Sequence, residues 1–77
     1  MARHKIYTEV YVLTQTDRYN ISTICCFTSW DKCIDQIKEE FIESGMEFTS
    51  EHYKKLDNEE FLDTPKYTFR IDLCEVF

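Results

Sequence analysis

Apolar residues in this chain recur every second position, then at helical spacing, then every second position again, so sheet, helix and sheet are expected in that order. From Ile6 to Thr14 nearly every residue is β-branched or aromatic, which predicts a first strand. Alternation places Ile6, Val10 and Val12 on one face and Tyr7, Tyr11 and Leu13 on the other. With both faces apolar, this strand suits the middle of a sheet. Polar Gln15–Asn20 reads as a hairpin turn and Ile21–Thr28 as a second strand.

Thr28 or Ser29 offers an N-cap, with Asp31 placed to meet the positive end of a helix dipole. Trp30, Ile34, Ile37 and Phe41 then follow at intervals of four, three and four, the buried stripe of an amphipathic helix. Gly45, the single glycine, stands where such a helix would end in a left-handed residue. Thr49 or Ser50 restarts the capping pattern, and Tyr53 and Leu56 mark the apolar side of a shorter helix. Pro65 closes the acidic stretch Asp57–Asp63. In Lys66–Phe77, Tyr67, Phe69, Ile71 and Leu73 share one side of a last strand. The expected fold is α+β, in the order β-β-α-α-β: a three-stranded, mainly antiparallel sheet with the helices on one face.

A chain of 77 residues is read as one domain, 1–77, and its 43% apolar and 16% aromatic content is enough to build a core. Wholly apolar runs reach four residues, as at Val10–Leu13, against the roughly 20 of a membrane-spanning helix. The charged, interrupted N-terminus does not resemble a signal peptide, so a cytosolic location is expected. Cys25, Cys26, Cys33 and Cys74 are expected as buried free thiols, because adjacent strand cysteines point to opposite faces and do not share a partner.

The net charge of −6 is unevenly placed: residues 31–63 hold eleven carboxylates against four lysines, a balance of −7. Asp31, Asp35, Glu39 and Glu43 are successive i,i+4 neighbours, an arrangement that costs an isolated helix about 0.2–0.5 kcal/mol per pair. Two explanations stand: a solvated face that keeps the protein soluble, or a docking surface for a basic partner. The docking surface is taken as Asp31, Asp35, Glu39, Glu40, Glu43, Glu47, Asp57, Glu59, Glu60 and Asp63. Carboxylates four residues apart rise about 6 Å along a helix, whereas duplex DNA carries a charge every 1.7 Å or so. A duplex mimic would therefore need every acid of that set, or a second copy of the chain. Direct nucleic-acid binding is not expected, since no basic patch is available to neutralise phosphates.

One glycine excludes the glycine-rich loops that cradle nucleotides. Cys25, Cys26 and Cys33 lack zinc-ligand spacing, and a Cys26–His52 or Cys33–His52 pair has no motif behind it. No metal, cofactor or catalytic residue is assigned, and a non-enzymatic role is expected. If Ile6, Val10 and Val12 meet the helices, then Tyr7, Tyr11 and Leu13 form an uncovered sheet face, which is either the rim of a half-buried sheet or a homodimer or partner contact, as in a structural or regulatory homo-oligomeric module.

The segments VYVLT, ICCFTSWDKCIDQIKEEF and YTFRIDLCEVF together resemble the pattern of small phage and mobile-element accessory proteins, among them the anti-CRISPR and other anti-defence inhibitors. That resemblance implies a protein that binds and blocks a host nucleic-acid enzyme in the host cytosol. It carries no functional residue over to this chain.

Overall fold

Residues 8–76 are described by a computed structural model in which six elements build two layers. They are β1 (Thr8–Asp17), β2 (Ser22–Phe27), α1 (Trp30–Glu43), α2 (Ser50–Glu59), β3 (Phe61–Asp63) and β4 (Tyr67–Val76). The sheet has four antiparallel strands in the order β2-β1-β4-β3, one more than the sequence pattern predicts. β1 is interior, as its two apolar faces require, and β4 flanks it. The added strand, β3, has only three residues and lies inside the acidic stretch, too short to show a period of its own. It exists because Leu62 pairs with Phe69 in β4 and is buried with it.

The first hairpin turns later than expected. Gln15 and Thr16 still pair, with Thr23 and Ser22, and the chain reverses through Arg18–Ile21. Asp17 Oδ1 accepts from the amides of Tyr19 (2.8 Å) and Ile21 (3.0 Å), while Asn20 takes φ 64°. An Asp that closes its own turn and an Asn that tolerates the left-handed region together fix the reversal. In the β3–β4 turn, Pro65 follows Thr64, whose amide donates to the Tyr67 carbonyl at 2.8 Å. Proline thus presets the second position of a turn.

α1 starts where Ser29 Oγ accepts from the Lys32 amide at 3.3 Å. It ends in a Schellman motif, with Met46 N–H donating to the Phe41 carbonyl (2.8 Å) and Gly45 N–H to that of Ile42 (3.1 Å), Gly45 having φ +72°. Lys66 reaches over from the β3–β4 turn and donates from Nζ to the Ser44 carbonyl at 2.6 Å. α2 opens with a capping box in which Thr49 Oγ1 accepts from the His52 amide and the Thr49 amide donates to His52 Nδ1 at 3.0 Å.

Both helices pack on the same face of the sheet. Cys33, Ile34, Ile37 and Phe41 of α1 and Leu56 of α2 are buried with Leu13, Leu62, Phe69 and Ile71. Phe41 sits at the centre, with ring centroids 5.9 Å from Phe69, 5.1 Å from Phe48 and 5.0 Å from His52.

The β1 face assignment is corrected by this packing. Leu13, expected on the uncovered face, is 2% exposed in the core, and Tyr11 packs against the core with its ring 6.2 Å from Trp30. Tyr7 and Ile6 lie outside the described residues. Register is the cause: Tyr11 pairs with Leu73 and Leu13 with Ile71, so the apolar side of β4 takes them to the helices. Val10 and Val12 point the other way.

The cysteines are free, but only Cys33 is buried; Cys25 is half-buried, and Cys26 and Cys74 are exposed. Burial, with a smaller contribution from Cys25 and then Cys26, pushes the Cys33 thiol up to about 11, which holds it protonated at neutral pH. No helix among the described residues is long and apolar enough to cross a membrane.

Candidate partner-binding surface

An α-helix advances about 100° per residue, so carboxylates four apart drift slowly around it and stay on one side for three turns. Asp31, Asp35, Glu39 and Glu43 do this on α1, opposite the buried Cys33, Ile34, Ile37 and Phe41, and all four are exposed. Glu47 continues the exposed set just past the helix. Glu40 does not join it. Half-buried, it accepts from Gln15 Nε2 of β1 and from Gln36 Nε2, both at 3.3 Å, and so faces the sheet.

Asp57, Glu59 and Glu60 form a second exposed group at the C-terminal end of α2. Asp63 belongs to neither group. Its register partner Thr68 donates to it at 3.0 Å, and the alternation with buried Leu62 and Phe69 turns both toward the face without helices. The ten expected residues therefore divide into an α1 stripe, an α2 terminus and two outliers, and a continuous duplex-like array is not assembled. The carboxylates with hydrogen bonds among the described residues take neutral partners.

These positions oppose the fold's own electrostatics. Neither helix has a basic residue in its last turn, although that is where a cation is favoured. Instead the sequence puts Glu39, Glu40 and Glu43 near one C-terminus and Asp57, Glu59 and Glu60 near the other. Glu60 is also held at φ 56°, a left-handed conformation that favours glycine, while its amide donates to Leu56 and its carbonyl accepts from Ile71. Glu43→Lys is accordingly expected to stabilise the protein by about 0.5–1 kcal/mol, through attraction to Glu39 and to the helix terminus. Thermal unfolding checks this; a lower Tm would show that the fold itself uses the Glu43 carboxylate.

Beside the second acidic group is a cleft of about 320 Å³ lined by Tyr11, Trp30, Tyr53, Asp57, Glu60 and Leu73. It lies where the start of α1, the end of α2 and the paired Tyr11 and Leu73 of β1 and β4 meet. Tyr53 and Leu73 are 40% and 46% exposed, large apolar groups left in water. Trp30 Nε1 is buried with no hydrogen-bond partner among the described residues. Helical spacing places Trp30 and Tyr53 at core-facing positions, but nothing local shows that Leu73 and Tyr11 arrive beside them. Only the acidic count pointed to this end of the molecule.

Comparison of the chain with protein-family models, curated proteins and solved structures gave no match in any of the three.

Proposed function

We propose that this is a non-enzymatic binding protein which docks the acidic face of its helical layer into the basic groove of a nucleic-acid-handling enzyme and blocks it. Small phage-encoded anti-defence inhibitors, anti-CRISPR proteins included, often act by binding and blocking a host enzyme, and its place of action is then the host cytosol. The observation that carries the reading is the choice of acids at both helix C-termini and along a self-repelling stripe. Solubility needs net charge but no particular positions, whereas these positions lower helix stability and leave the charge on display. Complementary fields speed association and select partners, so binding should weaken as salt rises. The decisive experiment is partner capture by the native chain and by a variant with Asp35, Glu39 and Glu43 reversed to lysine, compared across a salt gradient.

A second reading is favoured by the sheet face away from the helices. Val10, Val12, Ile24, Cys26, Phe61 and Cys74 project from it by register, with Ile24 64% exposed. A homodimer closing over this face would bury those side chains in place of the expected Tyr7, Tyr11 and Leu13. Sedimentation at high micromolar concentration should then show a dimer that Ile24→Lys dissociates; a strict monomer removes this reading.

A further inference from the structure

We infer that the cleft between α1, α2 and the sheet receives an arginine side chain of the partner, the guanidinium lying against Tyr11, Trp30 and Tyr53 and paired with Asp57 and Glu60. This deepens the docking reading above and rests on it. Three aromatic rings and two carboxylates around one concavity match a single ligand chemistry, a cation with flat apolar faces. A guanidinium satisfies both halves: it stacks on aromatic faces and offers a planar fork of donors to a carboxylate. An ammonium is a compact, strongly hydrated charge and uses the rings less well. A neutral apolar occupant would strip water from Asp57 and Glu60 without pairing them.

Features that the free fold leaves exposed or strained meet at this place. The cleft holds two large exposed apolar groups, Tyr53 and Leu73, beside the left-handed Glu60. Departures from local consistency of this kind collect where a protein meets a ligand. The arginine stem would cover Leu73 and Tyr53, since the methylenes of such a side chain pack on apolar surface while its head stays paired.

The test is NMR titration of the full chain with a tri-arginine peptide blocked at both ends, and with its tri-citrulline and tri-lysine counterparts. Trp30 is the only tryptophan, so its indole signal and its fluorescence report on the cleft alone. Saturable shifts centred on Trp30, Tyr53 and Asp57 are expected with arginine, about tenfold weaker binding with Asp57→Asn or Tyr53→Ala, and no saturation with citrulline. Both variants alter exposed residues, so the fold is retained. Shifts centred on Asp35–Glu43 with Trp30 unmoved would overturn the cleft while leaving the acidic docking surface standing. Equal binding of tri-lysine overturns the guanidinium assignment, and concentration-dependent Trp30 shifts without peptide assign the cleft to a second copy instead. Failure of the wider reading has a different signature, namely partner capture that ignores reversal of the α1 acids.

Discussion

Reversing Asp35, Glu39 and Glu43 to lysine is expected to abolish partner binding while leaving a folded, cooperatively melting protein. All three side chains are exposed, and each reversal adds two charges, which takes the formal net charge from −6 to zero. Within α1 the consequences are small and do not oppose folding. Asp31 gains an attractive neighbour at position 35, the terminus gains a cation at position 43, and the two remaining i,i+4 pairs stay repulsive with opposite sign. Across an interface nothing cancels, because three attractive charges become three repulsive ones. Like charges facing each other cost several kcal/mol, so about 3 kcal/mol, on the order of a 100-fold loss of affinity, is a conservative expectation. Binding isotherms at low and physiological salt, with circular dichroism as the control for folding, measure it. Undiminished affinity would reduce the acidic surface to a solubility device.

Phe41→Ala should have the largest effect on stability. Phe41 is 1% exposed and is the ring on which both layers converge, touching Phe69 of β4, Phe48 of the interhelical loop and His52 of the α2 cap. Deleting a buried phenyl group costs about 3–5 kcal/mol, against a total of roughly 5–15 kcal/mol for a native domain, with small domains at the low end. The variant is thus expected to be largely unfolded at 37 °C. Ile42 provides the control one residue away: it is 76% exposed, and Ile42→Ala should change stability by no more than about 0.5 kcal/mol. Urea unfolding of the pair checks the assignment, and equal costs would show that α1 buries a different face.

The α1 seam, a cap at Thr28 or Ser29, the Gly45 terminus, the second helix and the apolar side of β4 were all legible in the chain, because each depends on residues within a turn or two of one another. β3 was not legible, since three residues carry no period and its pairing partner is contributed by β4. The orientation of β1 was not legible either. Val10 and Val12 are as apolar as Tyr11 and Leu13, so alternation gave two equivalent answers.

For the functional surface the division is similar. Helical spacing alone placed Asp31, Asp35, Glu39 and Glu43 on one exposed stripe of α1. Tertiary structure removed Glu40 by hydrogen bonding it to Gln15, sent Asp63 to the opposite face, and gathered Tyr11, Trp30, Tyr53 and Leu73 beside Asp57 and Glu60. Periodicity, capping and charge balance are properties of neighbours along the chain, so the amino-acid order by itself determined the helices, the main strands and the acidic stripe. Which strand face is covered, and which distant side chains share a cleft, depend on register between strands far apart in sequence, and a one-residue shift there exchanges every inward side chain for an outward one.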